Sequence, residues 1–496
     1  MWELGDVTVS TKLMERTEVN LRGDENRVLC RLFVPGEEEL IRGTSRAREL
    51  ISRCLALSEE EVHHTLDGII ASYANRHRNL IEHLDHHFLA VTGLIKLGHG
   101  MSVERKRLIG AYLTQEYSFE AAAYFNPSMV LHPDQTGVEP DECRFVMSVR
   151  AVGEGHVSTI VFRTGVIRAT GLVEVDPACK FATTRAQRYT VLRNKMIEQA
   201  AKEARVDTAD LQYVLGMLPP SFTPDELTAN LNLLDVMNVA AADVQTISEI
   251  ALDISRTSYE VSFSTDTEIT ERVLWPTANN ERRGMEDARF VLCTEEDDST
   301  IYRATYTGFD GTQVVSRLLE TEDFVTFSSM TLTGPAIRNK GVAIFPRKVD
   351  GRYLALSRWD RETNSIATSD DGYHWHDAGQ FQGAVAPWEL LHVGNCGSPI
   401  ELDDGWLVLT HGAGPMRRYC IGALLLDKED PTKVLARLPN PLLEPNEEER
   451  NGYVPNVVYS CGGLIHNGRL VLPYGFSDFG TKVAVGDVSE LLANME

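Results

Sequence analysis

The segment Gly284-Met285-Glu286-Asp287-Ala288-Arg289-Phe290 sets two adjacent carboxylates and a guanidinium between a polar stretch and an apolar, strand-like run. Those residue types in that order suit general acid catalysis. A carboxyl group that gives up a proton must be held by a rigid element, reach a leaving oxygen and stay protonated near neutral pH. Burial beside a second carboxylate pushes its pKa in that direction. A solvated turn with one ion pair is the plain alternative, since Glu-Asp pairs are common on surface loops.

A second constellation lies between Arg338 and Gly412. Lys340 comes just before the apolar run 342–346, Arg358 follows the strand-like run 354–357, His392 precedes a Gly-rich turn, and His411 ends the run 406–410. Four basic side chains at strand ends, brought together, would bind an oxyanion, with Arg supplying bidentate geometry. Taken singly, each suits a structural ion pair better.

Other chemistry finds less support. His63, His64, His83, His86 and His87, with Asp85, occupy helical spacings that match no standard zinc motif, so no metal is expected. Gly153-Glu154-Gly155 lacks the spacing and the Lys-Ser/Thr end of a phosphate loop. There is no Gly-x-Ser-x-Gly and no paired Cys/His nucleophile pattern.

The elements that must position these residues follow from composition and periodicity. The chain has 496 residues, 43% hydrophobic and 24% charged, with a formal charge of −24. That length exceeds one ordinary domain. No apolar run approaches the roughly 18 residues of a membrane span, and a start lacking a basic and apolar leader points to the cytoplasm. The acidic balance disfavours nucleic acid and anionic membranes as partners. Eight cysteines without a CxxC pair fit reduced thiols.

After an extended opening at 19–35, helical periodicity runs from Glu37 to about Glu116. From Phe125 the texture becomes short apolar runs between Gly, Asp and Asn, at 144–149, 157–162, 290–293, 302–306, 353–357, 406–410, 421–426 and 470–474, which predicts a body of many short strands. A second helical segment, at 184–255, interrupts it. Two acidic turns followed by aromatics, 321–327 and 368–375, echo each other at roughly 50 residues, the size of a propeller blade. The strand rhythm therefore favours a propeller over a sandwich, and a propeller gathers residues distant in sequence into one central pocket. The charge runs 59–61 and 104–107 read as solvated helical faces, with an oligomer contact through the helical regions as the other reading. The expected organisation is 1–118, an extended start and helical region; 119–183, the first part of the propeller; 184–255, a helical insertion; and 256–496, the remainder.

The blocks Phe125-Asn126-Pro127, 284–289, 340–346, 397–412, 422–427, 430–434, 452–457 and 474–478 together resemble the β-mannoside phosphorylases, glycoside hydrolase family 130. The resemblance covers about 125–485, apart from the insertion, and is specific in its joint order and spacing. It implies a mainly β fold, a five-bladed β-propeller with an axial site, here with an N-terminal α-helical region and a helical insertion. It implies inverting phosphorolysis of β-linked manno-oligosaccharides to α-D-mannose 1-phosphate and a shortened sugar, with inorganic phosphate as co-substrate and no cofactor.

Carried over by position, the resemblance makes Asp287 the proton donor, acting through a hydroxyl of the mannosyl unit. Lys340, Arg358, His392 and His411 become the phosphate-binding set, and Asn126, Arg150, Asp478 and Tyr419 the sugar contacts. Inverting hydrolases need a second carboxylate roughly 6.5–9.5 Å away, whereas phosphate is already a nucleophile. The sequence departs from the family at Ala288, where Pro is usual, and at Lys340 and His392, where Arg and Lys are usual. A neutral imidazole at 392 gives no charge. The long N-terminus and the insertion resemble a subgroup acting on β-1,2-linked mannosides. The competing readings are an inverting β-mannosidase with Glu389 or Glu401 as base, and a propeller that binds glycans or proteins without chemistry.

Overall fold

β-Branched and aromatic runs bounded by Gly, Asp and Asn favour short antiparallel strands, and these make up most of the regular structure among the described residues. The computed structural model describes residues 12–36, 46–92, 100–185 and 242–496, with isolated positions between 188 and 229. Most of the predicted insertion therefore lies outside the described residues. Within it, Leu192, read as helical, belongs to the short strand Leu192–Arg193, paired with Ser221–Phe222. The helix Ala242–Thr257 leads back into strands.

Four helices, Arg46–Ala56, Glu59–Tyr73, Leu80–Thr92 and Val103–Tyr112, follow the first two strands and precede the main strand-rich body. The helical reading to Glu116 overshoots, because Thr114–Ser118 is a strand paired with Val28–Leu32. The two charge runs are not simply solvated faces. Ser58 Oγ accepts from the Glu61 amide at 3.2 Å while Glu61 accepts from the Ser58 amide at 2.8 Å, a reciprocal cap for the second helix. Buried Arg105 donates to the Cys54 carbonyl at 2.6 Å and to Glu59 at 2.6 Å, tying three helices together.

The strands form successive antiparallel groups. One path runs through Ala123–Leu131, Cys143–Val152 and Ser158–Ile167. It meets Gly284–Thr294, Thr300–Phe309, Val314–Thr321, Thr326–Thr331 and Tyr259–Ser262 through one parallel contact, Gly284 with Ser158. Separate sheets follow, Ala343–Ile344 with Tyr353–Ser357, Asn364–Ser369 and His376–Gln382, then His392–Asn395 with Trp406–Ala413, Tyr419–Leu426 and Val434–Arg437. In the last sheet Arg469–Phe476 and Gly480–Asp487 are joined by Glu15–Leu21 from the other end of the chain, Glu15 opposite Val485.

The two echoing turns occupy equivalent places, each joining the third and fourth strands of a sheet. Asp323 Oδ1 accepts from the Val325 amide and Asp371 Oδ1 from the Tyr373 amide, both at 2.8 Å, while Phe324 and Trp375 fill the core beneath. A third copy, missed in the sequence because no aromatic follows it, is Asp427, which accepts from the Asp430 amide at 2.8 Å. Behind the strand Gly284–Thr294, Phe162, Phe290, Phe324 and Phe327 pack edge-to-face and stacked, with centroids 5.5 to 6.0 Å apart. Each such pair adds about 0.5–1.5 kcal/mol beyond area burial, which makes this strand a stiff support.

Candidate active site

Asp287 is not in a turn ahead of its strand but inside it. Gly284–Thr294 pairs regularly with Thr300–Phe309 except between Glu286 and Arg289, where the register slips. Asp287 takes φ 57° there. The bulge turns its side chain off the alternating pattern while Met285, Ala288 and Phe290 stay in the core. Asn126 sits at a similar slip between Phe125 and Ser128, with φ 53°, and Asp478 has φ 49° just past the strand Arg469–Phe476. Left-handed backbone at a non-glycine residue costs of order 1–3 kcal/mol, so three instances in one place point to selected geometry.

These bulges bring the acid half together. Asn126 Nδ2 donates to Asp287 Oδ1 at 2.8 Å, and Arg150 Nη1 reaches the same oxygen at 3.2 Å. Arg150 Nη2 donates to Glu286 Oε1 at 2.7 Å, and Lys340 Nζ donates to Glu286 Oε2 at 2.5 Å. Burial pushes the Asp287 carboxyl up, but Arg150, Arg289, Lys340 and the Asn126 bond outweigh it and hold the group below the usual aspartate range. This corrects the expectation that a neighbouring carboxylate keeps Asp287 protonated, because Glu286 spends its charge on Arg150 and Lys340. Asp478 goes the other way. Burial, and then the Asp287 charge, push it up to about 6. Two carboxyls in one pocket are driven apart in acidity.

In the anion half His392 and His411 lie on regularly paired strand, Arg358 follows the strand Tyr353–Ser357, and Lys340 precedes Ala343–Ile344. Arg358 Nη1 donates to His411 Nε2 at 2.9 Å, and His411 Nδ1 donates to the Asn395 carbonyl at 3.1 Å, which fixes a neutral tautomer. Burial and then Arg358 hold His411 well below the ordinary histidine value, and burial, Arg358 and Arg417 hold His392 at about 4. The expected set of four cations is therefore two cations and two neutral imidazoles. His411 also lies within its strand, Trp406–Ala413, not at its end, and is buried. The His392 ring is 6.0 Å from His411 and 5.3 Å from Tyr419. Gly394 is required by this packing, since a Cβ there would lie 2.4 Å from the His411 ring. Among the described residues, Arg358 Nε, His392 Nε2 and Asn126 Oδ1 are buried without a hydrogen-bond partner.

Arg289 and Tyr459, both missed in the sequence, join the halves. Arg289 donates to the Asp287 carbonyl at 2.8 Å and to the Tyr459 hydroxyl at 2.6 Å, and the Tyr459 ring lies 4.9 Å from His411. The signal for Arg289 was present in the opening heptapeptide. Tyr459 has none, because only the fold brings it there. The alternative bases are committed elsewhere. Glu389 is buried and accepts from the Val385 and Ala386 amides at 3.1 Å, and Glu401 is paired with Arg347 at 2.8 Å and Lys428 at 3.2 Å.

Comparison with known proteins finds related sequences and folds. A family model described as β-1,4-mannooligosaccharide phosphorylase, of glycoside hydrolase family 130, matches residues 236–496. A 1,2-β-oligomannan phosphorylase of Thermoanaerobacter sp. (strain X514) is 34% identical over 265 residues, 51% of this chain and 85% of that one. A β-1,2-mannobiose phosphorylase of Listeria innocua is 34% identical over 234 residues, 45% of this chain and 63% of that one. A solved β-1,2-mannobiose phosphorylase from Listeria innocua aligns over 76% of this chain and 92% of its own, at 23% identity and a TM-score of 0.44. The match reaches from the helix before the Asp287 strand through the Asp478 turn, and on that extent the chain belongs to glycoside hydrolase family 130.

Proposed function

We propose that the chain catalyses inverting phosphorolysis of β-linked manno-oligosaccharides, with β-1,2 the linkage inferred first because the two relatives named above carry it in their names. The observation that carries the reading is the anion corner beside a buried acid, where Arg358 Nε and His392 Nε2 face no protein partner among the described residues. Phosphate offers acceptor oxygens to the guanidinium and either role to the imidazole.

In this reading Lys340 and Arg358 supply the charge that holds phosphate, His392 donates or accepts without charge, and His411 takes part by holding Arg358 in place. A phosphate oxygen forms its bond to the anomeric carbon as the bond to the glycosidic oxygen breaks, and that oxygen takes the proton from Asp287 through a sugar hydroxyl. Inversion follows from the single displacement. Asp287 must first hold a proton, and phosphate itself provides for this. The Lys340 side chain is 43% exposed, so its pair with Glu286 is worth of order 1 kcal/mol and a dianion can draw the lysine away. Negative charge placed beside Lys340 offsets part of what depresses Asp287, and its pKa rises. Asn126, Arg150, Asp478 and Tyr419 are assigned to the mannosyl unit.

We read the fold as a five-bladed propeller with the site on its axis. The support is five consecutive antiparallel groups, three of them with an acidic turn in an equivalent place, together with the pairing of Glu15–Leu21 into the last group. We read the helical N-terminus, the insertion and the divided propeller body as the domain organisation. No cofactor is assigned beyond phosphate as co-substrate. Eight free cysteines support a reducing, cytoplasmic setting, and no helix among the described residues is long and apolar enough to cross a membrane.

The test is turnover of β-1,2-mannobiose and β-1,4-mannobiose with and without inorganic phosphate, following mannose 1-phosphate and free mannose together. Phosphate-dependent mannose 1-phosphate is the expected outcome. Free mannose at an unchanged rate without phosphate would replace the phosphorylase with a hydrolase.

A further inference from the structure

Two exposed rings meet beside the acid half. The turn Glu154–His156 follows the strand that carries Arg150 and precedes Ser158, whose hydroxyl accepts from Arg150 Nε at 3.0 Å. Facing it, Tyr453 belongs to a segment fastened to the Asp478 turn. The Val454 amide donates to the Ser477 carbonyl at 3.0 Å, and a Cβ on Gly452 would lie 2.5 Å from that oxygen. The His156 and Tyr453 rings stack with centroids 6.1 Å apart and planes 28° apart. They span the gap between the elements that present Arg150 and Asp478.

Neither ring is placed by burial. Tyr453 is 73% exposed, His156 is exposed with φ 57°, and no hydrogen bond among the described residues engages the Tyr453 hydroxyl or the His156 ring nitrogens. An open aromatic pair gains little from the hydrophobic effect, and left-handed backbone at His156 adds a cost. A flat face with polar tips at its rim matches a pyranose, whose axial C–H bonds lie against the ring while its hydroxyls reach outward.

We propose that His156 and Tyr453 form a platform for a hexose unit of the oligosaccharide beyond the disaccharide whose bond is cleaved, and so set preference for chain length. The proposal rests on the phosphorolysis reading above for the direction in which the sugar leaves the pocket. Solvent exposure places the rings outside the buried Arg150–Asp287–Asp478 group, where a third or fourth unit would lie.

The experiment compares β-mannobiose with β-mannotetraose of the linkage that wild type cleaves. Tyr453→Ala is expected to raise KM for the tetraose about tenfold, with the KM for mannobiose and for phosphate unchanged. Tyr453→Phe should retain most of the tetraose affinity, and His156→Ala should weaken it without adding fully to Tyr453→Ala, because the rings act as a pair. Equal losses on both sugars, or no change on either, would overturn the platform. Calorimetric binding of mannotetraose without phosphate separates this from the parent reading. Binding weakened by Tyr453→Ala in a protein that forms no mannose 1-phosphate keeps the platform and removes the phosphorylase, and unchanged binding removes the platform.

Discussion

The acid half and the anion half of the pocket are built by opposite means. Asn126, Asp287 and Asp478 each sit on left-handed backbone, two of them at register slips, whereas His392 and His411 lie in regularly paired strands. The acid half is crowded with formal charge that is internally paired through Arg150 and Glu286. The anion half holds one guanidinium among neutral rings. Proton transfer requires one atom at one place, which bulges fixed by a stiff core provide. Anion binding tolerates small displacement, and regular strand suffices.

The sharpest way to break this contrast is Asp287→Asn. With the backbone geometry kept and the proton removed, kcat for mannose 1-phosphate release should fall about 10³-fold, within the range for loss of a general acid, in a protein that is still folded at the assay temperature. Arg358→Ala acts on the other half. Phosphate KM should rise about 10- to 100-fold in initial-rate kinetics, the size expected when a buried guanidinium that carries a charge-assisted contact is removed, with a smaller change in mannoside KM. Glu286→Gln separates the two halves further. It releases Lys340, so phosphate KM should fall about fivefold, the equivalent of the roughly 1 kcal/mol pair. It also leaves Arg150 and Lys340 unshared, which depresses Asp287 further and shifts the acid-dependent limb of the kcat–pH profile to lower pH.

Asp478→Asn should have the smallest effect on the fold and the clearest sign. A carboxyl raised in the folded state lends stability that is present below its unfolded value near 4 and is lost as pH rises through about 6. The Asn variant lacks that loss. Its melting temperature should match wild type below pH 4 and exceed it progressively between pH 4 and pH 7, while mannoside KM rises.

How far the sequence could be read differs between the same two halves. Asp287 and Arg358 were legible because a charged residue beside an apolar run is unusual and the run predicts its support. Protonation states were not. His411 reads as a cation until the Asn395 carbonyl and Arg358 fix its tautomer, and the partners that hold Asp287 down lie 161 and 137 residues away along the chain. The strand at Thr114–Ser118 was hidden because a helix and a short strand share its apolar spacing, and only pairing with Val28–Leu32 decides between them. Tyr459 carried no local signal at all.

The pairing of Glu15–Leu21 with Gly480–Asp487 has a consequence for synthesis. At about 5–20 residues per second, tens of seconds separate the appearance of the first strand from that of its partner. Through that interval the early strand offers an unpaired edge to any other extended chain nearby. The last sheet closes in a single late step after everything between is already made, so crowded ribosomes carrying this message are where mispairing between copies should be greatest.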